Sequence, residues 1–156
     1  GIAIGGSLGS TKNEMKHIVN YTASKLTDKH PIHLLGIGDP RDIWTFVKQG
    51  IDTFDCVSPT RLARHGSALM KTFDGKINLK NSEYRNSLKP IDENCKCYTC
   101  KNFTVSYLHH LIISGELIAL QLLTTHNIYF MNELMSYIRK AILNDNLEEA
   151  ELNWYK

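Results

Sequence analysis

Hydrophobic residues recur along the first part of the chain with two different periods. Short, mostly apolar runs long enough for β-strands occupy residues 1–6, 32–38 and 51–57. Between them, apolar residues return every three or four positions, which predicts amphipathic helices at residues 11–27 and 40–48. Asp39 is placed to cap the second helix, and Pro40 suits its first position. Strands that alternate with helices indicate parallel strands joined by right-handed crossovers.

The pattern changes after residue 58. Apolar runs at residues 68–73 and 76–79 flank an Asp-Gly pair at 74–75, which predicts a β-hairpin. Two further helices are predicted at residues 98–113 and 127–143. We expect the end of the chain, residues 148–156, to be mobile.

The closely spaced cysteines are the most specific chemical feature. Cys95, Cys97 and Cys100 lie within six residues, and His126 follows one helix length later, which gives the pattern C-x-C-x2-C-x25-H. Three thiolates and one imidazole form a closed tetrahedral set that is typical of structural zinc. Because this set leaves no position for water, we expect the zinc to hold structure, and a metal-dependent hydrolase is a weak alternative.

Four cysteines could instead form two disulfides. The sequence shows no signal-peptide pattern, and clustered cysteines without an export signal more often bind metal. We therefore expect a reducing, cytoplasmic compartment. The sequence begins without a methionine, so we expect a piece of a longer chain or a processed product.

These elements together predict an α/β fold. Their order resembles the C-terminal part of a (β/α)8 TIM barrel with an inserted zinc-binding subdomain. A complete barrel needs about 250 residues, and this chain has 156. We expect the last β/α units of the barrel in residues 1–60, the inserted hairpin and zinc-binding subdomain in 61–126, and the closing C-terminal helix and tail in 127–156.

Composition excludes few classes of function. The hydrophobic fraction of 42% and the charged fraction of 22% are ordinary for a globular protein. No apolar run approaches the length of a membrane span, so we expect no membrane partner. The net charge of +2 is too small to indicate nucleic acid by itself. Residues 61–89, however, hold seven basic and two acidic side chains, which is either a solvated loop face or a phosphate-contacting patch.

Glycines stand where the first two predicted strands end. In barrels and open parallel sheets the chemistry lies at the C-terminal ends of the strands. Gly5 and Gly6 end the first strand, and Leu35 and Gly36 lie at the end of the second. Because glycine has no side chain, backbone there can approach a planar ligand closely.

A carboxylate stands at the end of the third predicted strand. Asp55 lies within an otherwise apolar run, and alternation places it on the same strand face as Thr53 and Val57. Two interpretations remain open from the strand alone. Asp55 is either a functional carboxylate or an aspartate that caps the turn at residues 58–59.

Several stretches, in order along nearly the whole chain, resemble the C-terminal portion of bacterial-type tRNA-guanine transglycosylases. The phrase GIDTFDCVSPTR, together with the spacing of the metal ligands, is the most specific of them. The stretches are residues 3–6, 34–38, 50–61, 63–66, 95–100, 107–111 and 125–127. The resemblance covers less than half of a family enzyme, and the part that carries the earlier barrel strands is missing.

The resemblance implies a base exchange in RNA. Family enzymes replace guanine at the wobble position of tRNAs with a GUN anticodon by a 7-substituted 7-deazaguanine, on the route to queuosine. Asp55 matches the family nucleophile, whose carboxylate forms a covalent intermediate with the ribose. Its negative charge suits an oxocarbenium-like transition state.

The resemblance also assigns binding roles. It implies base contacts for Gly5, Gly6, Leu35 and Gly36, and it implies structural zinc ligation for the cysteine–histidine set. Arg61 and Arg64 match residues that contact the tRNA anticodon loop, where they would neutralise phosphates and hold the nucleotide flipped out. Family enzymes are often homodimers, so a homodimer is possible here.

The chain departs from the family pattern after Gly6. Bacterial enzymes usually continue with a longer loop that ends in Gly-Glu, whereas residues 7–12 read SLGSTK. That leaves the choice between the precursor base and queuine open. A second functional aspartate belongs to the missing portion. The alternative is an inactive, zinc-stabilised fragment that acts only as an RNA-binding or structural module.

Overall fold

The computed structural model describes residues 1–6, 8–26, 30–72 and 74–155. The chain divides into two compact units, Gly1–Ser58 and Pro59–Lys156. Each unit is described here by itself. The finer division of the chain into three segments at residues 60 and 126 stays a prediction.

The first unit carries a parallel β-sheet. Among its described residues, the strands are Ile2–Ile4 (β1), Ile32–Leu34 (β2) and Thr53–Phe54 (β3). They pair in the order β1-β2-β3, and both pairs are parallel. Helices Lys12–Ala23 (α1) and Pro40–Val47 (α2) make the two crossovers. The predicted strand–helix alternation and the mixed α/β class are therefore confirmed, although these strands do not close a barrel.

Both helices of this unit begin with side-chain caps. The hydroxyl of Thr11 accepts a hydrogen bond from the Glu14 N–H, and the Glu14 carboxylate accepts one from the Thr11 N–H, which is a capping box. Asp39 caps α2 by accepting from the Arg41 N–H at 3.0 Å, and Pro40 occupies the first turn, as predicted. Helix α1 ends at Ala23, earlier than expected, and the predicted last residue, Thr27, lies outside the described residues.

The strands are shorter than the apolar runs that predict them. Pairing ends at Leu34 in β2 and at Phe54 in β3. The chain turns directly afterwards, and Gly36 has a φ of +76°, a conformation that favours glycine. The residues beyond the strand ends therefore form loops at one edge of the sheet, and these loops carry the candidate residues.

A small apolar core holds the sheet and helices of this unit together. Its fully buried members include Val19, Leu34 and Phe46. Removing a side chain of this kind from water contributes about 1.5–3 kcal/mol. The core thus fixes the sheet, and with it the positions of the strand ends.

The second unit combines a β-hairpin with helices. Helix α3 starts at the boundary between the units and continues into this one. The elements are Ser58–Arg64 (α3), Ser67–Leu69 (β4), Lys76–Asn78 (β5), Tyr98–Asn102 (α4), Val105–Ile113 (α5), Leu117–Leu143 (α6) and Leu147–Trp154 (α7). Strands β4 and β5 pair antiparallel, which confirms the predicted hairpin, although its Phe73 lies outside the described residues.

Two helix predictions in this unit need correction. The helix expected at residues 98–113 is two helices, because Thr104 is extended and its hydroxyl accepts from the Tyr107 N–H, which starts α5 anew. The helix expected at residues 127–143 begins at Leu117 and is continuous through His126.

The expected mobile end is wrong over residues 148–154, which lie within the ordered helix α7. Ala150 and Trp154 are buried, and the Trp154 ring packs edge to face on Phe130 at 5.7 Å. The ammonium group of Lys71 lies 4.2 Å from the Trp154 ring centre. These contacts offset the entropy of ordering the segment. Lys156 lies outside the described residues.

Within the part of the chain that the structure describes, no helix combines the length and apolarity needed to cross a membrane.

Candidate metal centre and candidate nucleophile

The cysteine–histidine set forms one buried cluster in the second unit. Cys95 and Cys97 precede α4, Cys100 lies in it, and His126 lies on α6. All four cysteines of the chain are free thiols, so the disulfide alternative has no support. The four candidate ligand atoms lie within 4.8 Å of one another, and all four residues are buried. The predicted residues are therefore brought together as a group that could hold a metal ion.

The imidazole of His126 is oriented towards the three thiols. Its Nδ1 lies 3.7, 3.6 and 3.4 Å from the sulfurs of Cys95, Cys97 and Cys100. Its Nε2 lies 2.9 Å from the carbonyl oxygen of Leu69. A carbonyl only accepts, so Nε2 carries a proton, and in the neutral ring the lone pair of Nδ1 is directed at the sulfurs. This second contact fixes the tautomer that a metal ligand requires.

The cluster also favours a thiolate. Hydrogen bonds from the Cys100 and Cys95 thiols hold the pKa of Cys97 far below its usual range, although burial opposes them. The Cys97 sulfur also accepts from the Cys100 N–H at 3.3 Å. Since thiolates are the form that binds metal, the environment is prepared for an ion.

Asn127 follows the candidate ligand His126, and the sequence alone does not predict its role. Its side chain is 0% exposed. Its Oδ1 accepts from the Leu69 N–H at 2.8 Å, and its Nδ2 donates to the carbonyls of Pro59 at 2.9 Å and Ser67 at 3.1 Å. One buried amide thus joins α6 to β4 and to the first turn of α3. In the sequence, the one indication of this role is that the polar residue Asn127 lies on the apolar face of a predicted helix.

The second candidate site lies in the first unit, at the strand ends. Asp55 directly follows β3, and its side chain is 60% exposed. Its Oδ1 accepts from the Gly36 N–H at 3.1 Å and lies 3.1 Å from His33 Nε2. The Gly36 N–H and the His33 ring hold the pKa of Asp55 below its ordinary value. The carboxylate is therefore ionised at neutral pH and faces solvent.

The predicted glycine runs lie together with Asp55. The Leu35 N–H donates to the Ile4 carbonyl at 2.9 Å, which joins the ends of β1 and β2. A Cβ added to Gly5 would lie 2.6 Å from a Leu35 methyl carbon and 3.2 Å from the Leu35 Cβ, so a side chain at this position would displace that of Leu35. Gly6 has a φ of +87°. The geometry thus brings together the residues predicted to bind a base and the candidate nucleophile.

A cavity of about 400 Å³ opens within the same unit beside Gly36. Its volume lies in the range of small-molecule sites. Lys12 lines it and pairs with Asp39 at 3.2 Å and with Asp42 at 2.9 Å. These ion pairs join the first turns of α1 and α2 across a long sequence separation, and the sequence carried no signal for them.

Glu14, in the first turn of α1, is the first acidic residue after the loop that departs from the family pattern. Its carboxylate accepts from the Ser10 N–H at 2.7 Å and from the Ser10 hydroxyl at 2.8 Å. The Ser10 hydroxyl and the neighbouring N–H groups lower the pKa of Glu14. This carboxylate thus holds Ser10 and Thr11, at the end of that loop, against the first turn of α1.

The two arginines predicted to contact RNA lie on α3. Arg61 and Arg64 are both exposed and stand one turn apart near the C-terminus of the helix, where positive charge is favourable. Arg64 lines an open groove of about 830 Å³ together with Tyr98 and Tyr129. The groove thus combines a guanidinium group with two aromatic rings.

Comparison with known proteins identifies the family. The family model described as queuine tRNA-ribosyltransferase matches residues 1–156. A protein named queuine tRNA-ribosyltransferase from Nitrosomonas eutropha is 49% identical over 150 residues, which cover 96% of this chain and 41% of that protein. The protein of the same name from Dictyoglomus turgidum is 46% identical over 150 residues, covering 96% of this chain and 38% of its own length. A third, from Pediococcus pentosaceus, is 41% identical over 157 residues, covering 100% of this chain and 41% of its own length. The chain spans about two fifths of the length of these curated relatives, and it belongs to the queuine tRNA-ribosyltransferase family.

Proposed function

We propose that the full-length protein carrying this chain exchanges a base in tRNA. It replaces guanine at the wobble position of GUN anticodons by a 7-substituted 7-deazaguanine, in queuosine biosynthesis. The observation that carries the proposal is an ionised, solvent-facing carboxylate at a strand end, hydrogen-bonded to the loop that follows the neighbouring strand. The names of the relatives support the same reaction.

Asp55 acts as the nucleophile in this proposal. Its carboxylate attacks the anomeric carbon of the ribose as the bond from that carbon to guanine breaks. Guanine leaves with the bonding electron pair and takes up a proton. The transition state resembles an oxocarbenium ion, which a nearby anion stabilises before it forms the ester bond.

The second half of the exchange releases Asp55. The ring nitrogen of the incoming 7-deazaguanine attacks the same carbon and loses its proton to solvent. The ester bond breaks, and the carboxylate departs with the electron pair. Each half inverts the configuration at the anomeric carbon, so the exchange as a whole retains it.

The glycine-lined strand ends bind the base in this proposal. Gly5, Gly6 and Gly36 offer backbone N–H and C=O groups to its polar edges, and Leu35 packs on its plane. Leu35 is 45% exposed, so its side chain is available for such a contact. The rest of the base pocket, with a second functional aspartate, belongs to the remaining part of a (β/α)8 barrel.

Arg61 and Arg64 contact the anticodon loop of the tRNA. Both guanidinium groups are exposed, and their spacing of one helical turn suits successive phosphates. Neutralising these phosphates offsets the unstacking that flips the target nucleotide out of the loop.

The metal is zinc, and its role is structural. In a tetrahedron with zinc–sulfur bonds of about 2.3 Å and zinc–nitrogen bonds of about 2.0 Å, sulfur and nitrogen lie about 3.5 Å apart. The distances between His126 Nδ1 and the sulfurs are 3.4 to 3.7 Å. The donor set therefore fits zinc without an open position, and the ion would hold α4 to α6. Thiolate ligands suit the cytoplasm, where they stay reduced. A homodimer stays a prediction.

Replacing the nucleophile tests the proposal. In the full-length enzyme, Asp55→Asn keeps the size of the side chain and removes its charge, so we expect no covalent enzyme–RNA adduct on denaturing gels and no base exchange. Asp74→Asn is the matched control, because Asp74 lies in the turn of the hairpin, where asparagine is equally suited. An Asp55→Asn enzyme that still forms the adduct would rule out this role. We also expect the 156-residue chain alone to show no turnover, because it lacks part of the base pocket.

A further inference from the structure

The register of the parallel sheet places a histidine beside the candidate nucleophile. His33 in β2 stands opposite Thr53 in β3. Asp55 follows Thr53 by two residues and points to the same face of the strand. The His33 ring lies between them, with Nδ1 2.8 Å from the Thr53 hydroxyl oxygen and Nε2 3.1 Å from Asp55 Oδ1.

The hydrogen-bonding partners of His33 determine which of its two ring nitrogens carries the proton when the ring is neutral. An ionised carboxylate only accepts hydrogen bonds, so Nε2 carries the proton and donates it to Asp55. Nδ1 is then the unprotonated nitrogen and accepts from the Thr53 hydroxyl. The result is a directed chain of hydrogen bonds from Thr53 through His33 to Asp55.

We propose that His33 is a positioning residue for Asp55. The inference rests on the nucleophilic role proposed above for that carboxylate. The His33 ring and the Gly36 N–H both donate to Oδ1 of the carboxylate. Two donors on one oxygen set the rotation of the carboxylate and present Oδ2 to the anomeric carbon.

The same two donors serve the second half of the exchange. Once Oδ2 has formed the ester, Oδ1 is its carbonyl oxygen. When the incoming base displaces the carboxylate, negative charge returns to Oδ1. The His33 and Gly36 N–H groups are already directed at that oxygen, so they stabilise the departing carboxylate without reorganisation.

Substitution of His33 in the full-length enzyme tests this role. His33→Leu removes the donor, and we expect the rate of adduct formation and kcat to fall at least about tenfold, which corresponds to about 1.4 kcal/mol, while KM for tRNA changes by less than about twofold. His33→Gln places an amide N–H near the position of Nε2 and should restore the rate to within about threefold of the original enzyme. His17→Leu, on the exposed face of α1, is the matched control and should leave both constants unchanged.

A spectroscopic measurement tests the inference without catalysis. Selective ¹⁵N labelling of histidine in the full-length enzyme should show that the His33 ring carries a proton on Nε2, the nitrogen that faces Asp55. A ring protonated only at Nδ1 would direct a lone pair at the carboxylate and overturn the inference. This readout also decides the matter if the leucine variant does not fold.

The outcomes separate this inference from the proposed function. An inactive Asp55→Asn enzyme together with a fully active His33→Leu enzyme would overturn the role of His33 alone. A glutamine variant as impaired as the leucine variant would indicate a packing role and also overturn it. Adduct formation by Asp55→Asn would instead overturn the nucleophile.

Discussion

The two candidate sites are built in opposite ways. At the candidate metal centre all four candidate ligands are buried, and the second nitrogen of the histidine ring is hydrogen-bonded to the backbone. At the candidate nucleophile Asp55 the side chain is 60% exposed, and its contacts with His33 and Gly36 are both made through Oδ1. A site that stabilises a fold gains from closure, because buried thiolates and imidazole are satisfied only around an ion. A site that performs chemistry on a large substrate must leave a reactive atom, here a carboxylate oxygen, accessible to that substrate.

Each unit contains one tryptophan, so the unfolding of the two units can be followed separately by fluorescence. The chain has two tryptophans. Trp44 is a buried residue of the first unit, and Trp154 is a buried residue of the second. A Trp154→Phe variant therefore keeps only the tryptophan of the first unit, and a Trp44→Phe variant keeps only that of the second.

The largest expected effect is the loss of the metal. Chelation, or Cys97→Ser, should destabilise the second unit by more than about 4 kcal/mol, because binding of the ion is part of the folding free energy. The Trp154 signal should change first, and the Trp44 signal should change later or not at all. Chemical denaturation followed by tryptophan fluorescence measures this, and metal analysis should find about one zinc per chain.

Cys56→Ser is the control for that experiment. Cys56 lies in the first unit, outside the cluster, so its substitution should leave metal content and the Trp154 transition unchanged. A folded, metal-free protein with an unaltered Trp154 transition would contradict the structural role of the ion.

A smaller effect is expected at the buried amide beside the metal centre. Asn127→Leu keeps the number and branching of the side-chain heavy atoms but leaves one N–H and two carbonyls of the backbone without their partner. We expect a loss of about 2–4 kcal/mol in the second unit with zinc still bound. Asn132→Leu, exposed on the same helix, should cost little. Equal effects of the two substitutions in urea unfolding would show that the buried network does not contribute.

The smallest effect concerns Asp55 and pH. Its folded pKa is lowered, so its contribution to stability is present above its unfolded pKa of about 3.9 and is lost as pH falls through the folded value. The difference in melting temperature between the original chain and Asp55→Asn should therefore be constant at neutral pH and disappear in acid. The metal-binding unit should melt at higher pH than this, because its ligands release zinc as they take up protons. A difference that grows on acidification would contradict the assigned direction.

The sequence predicted those features of the fold and of the candidate metal site that depend on residues close together in the chain. The spacing of Cys95, Cys97, Cys100 and His126 predicted the cluster, because a helix and a short loop bring such residues together. The alternation of apolar runs and amphipathic segments predicted the parallel strands. The Asp39 cap also followed from neighbouring residues alone.

The remaining features depend on contacts between distant residues. Helix α7 was missed because its order comes from Trp154 packing on Phe130 and not from its own pattern. The break before α5 was missed because the Thr104 cap competes with an apolar run that reads as one helix. The bond between His33 and Asp55 requires the register of β2 against β3, which a single sequence does not specify.

The most direct test of the central claim is to locate the covalent bond. The full-length enzyme is incubated with substrate tRNA and denatured, the RNA is digested, and the residual ribose is mapped by tandem mass spectrometry. The account predicts the added mass on the peptide that contains Asp55, attached to that residue. Attachment to any other residue would contradict it.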